Sequence, residues 1–168
     1  MSEIIEDPVC HMQVSSTSFA TEYAGRCYAF CSAQCRERFL ATPRVYIGFP
    51  GNPAAAQEGK KSIKRRRLLL SAPLDAGQAE QAKCALLELM GVQEIVIEGG
   101  RIEIRYDLIQ VTAEQIEEKL ALIGADLGDD WIDRLKMAFI HNLEEIEISS
   151  LQVDDRKRYP LTGGNALE

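Results

Sequence analysis

Between Gln93 and Tyr106 the chain reads Gln93-Glu94-Ile95-Val96-Ile97-Glu98, then Gly99-Gly100, then Arg101-Ile102-Glu103-Ile104-Arg105-Tyr106. Two alternating runs around a Gly-Gly pair predict a β-hairpin, because glycine permits the positive φ angles of a two-residue turn. The flanking segments restrict the fold further. Upstream, Lys64-Arg65-Arg66-Arg67-Leu68-Leu69-Leu70-Ser71 reads as a charged lead into a buried strand. Asp75 caps a helix running to Met90, with Ala79, Ala82, Leu86, Leu87 and Leu89 mostly on one face and Gly91 stopping it. Downstream, Thr112 followed by Gln115 has capping-box spacing and opens a helix through Ile116, Leu120 and Ile123. Strand, helix, hairpin, helix is most of a split βαβ, ferredoxin-like unit. A further helix is expected from Asp129 or Asp130, where Ile132, Leu135, Phe139, Leu143 and Ile146 recur at helical spacing beside Trp131 and Ala138. Glu144, Glu145 and Glu147 read as its solvated face, with His141 among them, although Ile146-Glu147-Ile148 also fits the start of a strand.

The N-terminal segment has a different character. Cys10, Cys31 and Cys35 fall within its first 39 residues, the last two in Phe30-Cys31-Ser32-Ala33-Gln34-Cys35. If that stretch is helical, positions four apart share a face. Two thiolates on one face, met by a third from the Pro-containing turn at Asp7-Pro8-Val9-Cys10, make a site for a soft cation. Thr21 to Phe30 reads as two short strands around a Gly25 turn. A helix follows from Ser32 as N-cap through Arg36, Phe39 and Leu40, ending before Pro43. A domain this small has little core of its own, and a bound metal would supply stability. The expected fold is therefore α+β: a small cysteine-rich metal-binding domain over 1–47, a Pro- and Gly-punctuated linker over 48–62, a ferredoxin-like βαββα unit with an added helix over 63–153, and a flexible tail over 154–168.

Cu(I) fits two or three thiolates, and Zn²⁺ is the rival, wanting four ligands. Further candidates are Cys27, four residues before Cys31, His11, and Met12, whose thioether Cu(I) tolerates but which is expected to pack into the small core. Cys84, in an amphipathic helix, reads as a core residue. The cluster Lys60, Lys61, Lys64, Arg65, Arg66 and Arg67 reads as a solvated strand entry. The net charge of −7 argues against general nucleic-acid binding. No stretch is long and apolar enough to cross a bilayer, and the acidic N-terminus lacks the layout of a secretory signal, so the expected location is cytoplasmic, where thiols stay reduced. No nucleophile-and-base arrangement, phosphate loop or paired carboxylates stand out, so the expectation is a protein that is not an enzyme.

The N-terminal segment resembles the YHS family, a small cysteine-bearing domain of the wider TRASH-type group. The matching pieces are Asp7-Pro8-Val9-Cys10-His11-Met12-Gln13-Val14, then Tyr23-Ala24-Gly25-Arg26-Cys27-Tyr28-Ala29-Phe30-Cys31-Ser32, then Cys35, Phe39, Pro43 and Tyr46. The resemblance implies a transition-metal site, often for copper, on Cys10, Cys31 and Cys35. His11 stands where the family usually has a glycine, and Cys27 stands in a generally variable position. The segment from about Arg65 to Asp126 looks like a heavy-metal-associated (HMA) domain. Its metal loop, Ser71-Ala72-Pro73-Leu74-Asp75-Ala76-Gly77-Gln78, has no cysteine, so that family's metal function is not carried over. Together these resemblances imply Cu(I) handling, delivery or sensing, with a metal-transporting ATPase or another metal-handling protein as partner. The alternatives are a zinc-stapled interaction module, or an accessory of a metal-dependent oxygenase or thiol redox protein.

Overall fold

The computed structural model describes residues 3–128 and 130–153, the side chain of Trp131 excepted. The expected flexible tail over 154–168, Asp129 as a helix start and the flanking role of Trp131 lie outside the described residues.

The N-terminal unit is two small hairpins and a helix. Strands β1 (Ile4–Glu6) and β2 (Gln13–Ser15) pair antiparallel, as do β3 (Thr21–Tyr23) and β4 (Arg26–Tyr28). The second hairpin turns at Ala24 and Gly25, both with positive φ, as a two-residue primed turn requires. Helix α1 (Ala33–Ala41) starts at Ser32, whose hydroxyl accepts from the Cys35 N–H, and the short helix α2 (Pro43–Tyr46) follows with proline at its first position. The Phe39 ring is the hub of the unit. It meets Tyr28, Phe30, Tyr23 and Tyr46 at centroid separations of 4.9, 5.1, 5.7 and 6.2 Å, within the range where tilted and edge-on rings attract.

The second unit is ferredoxin-like. Strand β5 (Ile63–Leu69), helix α3 (Ala76–Leu87), strands β6 (Val92–Glu98) and β7 (Arg101–Asp107), and helix α4 (Ala113–Leu122) follow in the expected order. The sheet order is β5-β7-β6, all antiparallel. Both expected caps form as full capping boxes, Asp75 with Gln78 and Thr112 with Gln115. Helix α3 ends at Leu87, short of the expected Met90, and of its expected apolar face Leu87 is exposed. Cys84 is exposed as well and is not a core residue. The basic run Lys64–Arg67 lies within β5, which is an edge strand and half buried: Leu68 faces the helices while Arg65 and Arg67 face solvent and share Glu103 across the sheet.

In place of a fourth strand there is a single bridge between Leu70 and Leu127, flanked by Ser71 N–H to the Asp126 carbonyl and Gly128 N–H to the Leu69 carbonyl. The chain then enters helix α5 (Trp131–Leu151), which includes Ile146-Glu147-Ile148 and runs back beside β5. This helix is turned opposite to its sequence reading. Glu144 is buried: it accepts from the Tyr106 hydroxyl and the Ala113 N–H, and lies 3.7 Å from Arg66. Burial pushes the Tyr106 phenol well up, which keeps it a donor to Glu144. Glu147 bonds Ser62 and, at 2.5 Å, Lys64. Of the three glutamates read as a solvated face, only Glu145 is exposed. The apolar stripe points outward instead.

The two units share one continuous core. Arg38 of α1 donates to the Leu108 carbonyl at 3.1 Å, Gln34 to the Met90 and Gln110 carbonyls at 3.0 and 3.2 Å, and the Tyr46 hydroxyl to the Ile109 carbonyl. The 48–62 segment is packed rather than free, with Ala54, Ala55 and Ala56 buried and the Ala56 N–H bonded to the Val45 carbonyl. The cysteine-bearing unit is thus seated against the end of the sheet where β7 closes. The cysteine-free loop 71–78 sits at the other end, beside Gly99 and Gly100. No helix among the described residues is long and apolar enough to cross a membrane.

Candidate metal centre

Residues 7–12 form the loop of the first hairpin. The Asp7 N–H bonds the Met12 carbonyl at 2.9 Å and the His11 N–H bonds the Asp7 carbonyl at 2.9 Å, closing the turn on Pro8 and Val9. Inside it the Asp7 carboxylate is fully buried. One oxygen accepts from Val9 N–H at 2.8 Å and Cys10 N–H at 3.4 Å, and the other from Cys31 N–H at 2.8 Å. An Asp accepting from the backbone two and three residues on is the standard Asx-turn geometry. Its third bond reaches across to the segment entering α1. A single carboxylate therefore pins both cysteine-bearing loops to one point.

On that frame the sulfurs converge. Cys10 Sγ lies 3.4 Å from Cys31 Sγ, and Cys31 Sγ lies 3.5 Å from Cys35 Sγ. Possible ligand atoms of Asp7, Cys10, Cys31 and Cys35 all lie within 4.8 Å of one another. Cys31 and Cys35 do not share a helical face as the sequence suggested. The helix starts only after Ser32, so Cys31 precedes the cap and Cys35 closes the first turn. The N-terminal end of α1 is directed at the cluster, which favours anionic sulfur. Cys35 is buried, whereas Cys10 and Cys31 are partly exposed, so the cluster has an open side.

The other candidates lie elsewhere. Cys27 is exposed on β4, paired with Glu22 across its hairpin and outside the cluster. The His11 side chain turns away to Glu6, Nδ1 to Oε1 at 2.7 Å. Met12 is exposed rather than packed into a core. Asp7 is the residue that sequence reading missed as part of this centre. The signal was present, since an Asp before Pro with Cys three positions later has the spacing of an Asx turn.

The chemistry of the donor set fits a metal ion. Thiolates about 2.3 Å from a metal sit about 3.8–4.0 Å apart, so the observed separations need widen by only about half an ångström. Among the described residues no cationic side chain pairs with the buried Asp7 carboxylate, and a bound cation would supply the missing countercharge. A hydrogen bond from the Cys35 thiol brings Cys10 down to about 7, against the opposing effect of burial. Burial pushes Cys31 up to about 11, and Cys35, donating to Cys10 and buried near Asp7, is also held up. Cys10 is therefore the first of the three sulfurs to ionise, and Cys31 and Cys35 hold their protons at neutral pH. A metal that takes all three as thiolates displaces at least the protons of Cys31 and Cys35, and its apparent affinity rises with pH. Calorimetric titration in buffers of different protonation enthalpy measures the number released directly; release of fewer than one proton would mean that the three sulfurs do not bind together.

Residues 5–48 match the model of the YHS domain. The matched segment contains all four residues of the cluster. No curated protein and no solved structure matches the chain. The φ of His11 is 63°, in the left-handed region where a side chain is strained and glycine is not. His11→Gly is expected to raise stability by about 1 kcal/mol and to leave metal affinity unchanged. Thermal melts and chelator competition check both; a loss of affinity would make His11 a ligand.

Proposed function

We propose that this protein is a non-enzymatic, cytoplasmic carrier or sensor of Cu(I), bound by Cys10, Cys31 and Cys35 as thiolates. The observation that carries this reading is the convergence of three cysteine sulfurs with no fourth cysteine in the cluster among the described residues. Low-coordinate thiolate sites suit Cu(I). The partly exposed Cys10 and Cys31 face the side from which a partner's thiolate would approach. Metal then passes by stepwise exchange: an incoming thiolate binds the ion, one of the exposed sulfurs leaves, and no free ion forms. The partner class is a metal-transporting ATPase or another metal-handling protein. The HMA-like unit, with no cysteine in loop 71–78, serves as the docking platform. Anaerobic titration of reduced protein with Cu(I) against a competing chelator, with Zn²⁺ in parallel, tests the reading. One Cu(I) per chain, held more tightly than Zn²⁺, is expected; a clear preference for Zn²⁺ would overturn it.

Asp7 favours a second reading. Its carboxylate lies within ligand reach of the three sulfurs, so a Cys₃Asp site could hold Zn²⁺ and staple the YHS domain closed. That reading predicts unfolding of the first unit by chelator and no metal transfer. The N–H bonds on both Asp7 oxygens place it behind the first.

A further inference from the structure

The outward stripe of α5 is the largest feature of the molecule that the metal centre does not use. Ile132, Leu135, Phe139, Leu143 and Ile146 are 42–63 % exposed, on the side of the helix away from the buried Glu144 and Ile148. An amphipathic surface helix ordinarily turns such a stripe to the core. Here the core side is taken by Glu144, which holds Tyr106 and the start of α4, and by Ile148. Among the described residues none of the five packs against the buried core.

Its order names the occupant. Read from either end it is Ile, Leu, Phe, Leu, Ile, with spacings of 3, 4, 4 and 3 residues. We infer that α5 pairs with α5 of a second copy of this chain, antiparallel, about a two-fold axis at Phe139. In that arrangement Phe139 meets Phe139 of the other copy, Leu135 meets Leu143, and Ile132 meets Ile146. Each side chain faces one of the same kind, which is the self-complementarity a two-fold interface requires. The antiparallel pair also sets the N-terminal end of each helix beside the C-terminal end of the other, so that the two helix dipoles oppose each other, whereas in a parallel pair like ends would lie together. Five large apolar side chains about half exposed present on the order of 500 Å² per copy, ~1,000 Å² for the pair, approaching the ~1,200–2,000 Å² of specific interfaces before any flanking contact is added.

Sedimentation equilibrium of the full, reduced chain at about 100 μM tests this. A dimer is expected, with Leu135→Glu and Phe139→Glu each reducing the mass to one chain while the circular dichroism spectrum stays unchanged; both positions are exposed, so folding is not at stake. Register is read by cysteine cross-linking with Cys27 and Cys84 replaced by serine: Phe139→Cys should oxidise to a covalent dimer and Ile132→Cys alone should not. A monomeric wild-type chain, a dimer that survives both glutamate substitutions, or equal cross-linking at Ile132 would each overturn the inference. So would a monomer that dimerises only when residues 154–168 are removed, which would assign the stripe to the chain's own C-terminus.

Discussion

Replacing Cys31 and Cys35 together with serine is expected to abolish Cu(I) binding. The two sulfurs supply two of three thiolates, and a serine hydroxyl is a hard, weakly acidic donor that does not substitute for them at a soft ion. The loss should be at least about 10³-fold in affinity, beyond the 10–100-fold typical of residues that only orient ligands. The change is not neutral for folding. Cys35 is fully buried and packs in the core around Phe39, and a buried hydroxyl without a partner costs about 1–3 kcal/mol. Cys27→Ser is the control. It removes an exposed thiol on β4 and should change neither stability nor affinity. Chelator competition at equilibrium reads all three proteins; retention of tight binding by the double variant would remove both residues from the ligand set.

The second large effect belongs to Asp7, a residue the reading above gives no bond to the metal. Asp7→Ala strips the acceptor from three backbone N–H groups, those of Val9, Cys10 and Cys31. Bonds to a charged group contribute about 1.5–3 kcal/mol each. Relief of burying a carboxylate with no cationic neighbour offsets part of the loss, leaving a net cost of about 3 kcal/mol. In a chain of this size that lowers Tm by roughly 6–12 °C. Asp7→Asn keeps the shape but turns an amide N–H₂ toward backbone donors and should fall between, at about 2 kcal/mol. Both should weaken metal binding, because the loops bearing Cys10 and Cys31 lose their common anchor. A metal-free melt separates the two roles of Asp7. An anchor destabilises the apoprotein when removed, whereas a residue that is only a ligand does not. An unchanged metal-free Tm in Asp7→Ala would contradict the anchoring role.

Local rules carried much of the fold into the sequence. The Gly99-Gly100 hairpin, the two capping boxes and the Gly25 turn each depend on residues within a few positions of one another, and such signals are read without knowing what packs where. The convergence of Cys10 with Cys31 and Cys35 was expected from the tight Pro turn and from a shared helical face; the turn forms, but Cys31 stands before the Ser32 cap and reaches Cys35 from outside the helix. The role of Asp7 was not read, because two of its three bonds are local but the one to Cys31 crosses 24 positions. Helix α5 shows the limit of periodicity. The spacing of Ile132 to Ile146 identifies an apolar face but not its direction. That direction follows from the polar groups that α5 meets, the Tyr106 hydroxyl, the Ala113 N–H, Ser62 and Lys64, which draw Glu144 and Glu147 inward. Cys84 was misread for the same reason, since α3 buries Ala82 and Leu86 and leaves the adjoining positions to solvent.

The central claim is a three-thiolate site, and X-ray absorption at the copper edge of the Cu(I)-loaded, reduced protein tests it most directly. A shell of three sulfur neighbours, falling to fewer in a Cys10→Ser variant and unchanged in Cys27→Ser, is the predicted result. A shell containing a protein oxygen or nitrogen, or one that Cys10→Ser leaves intact, would contradict it.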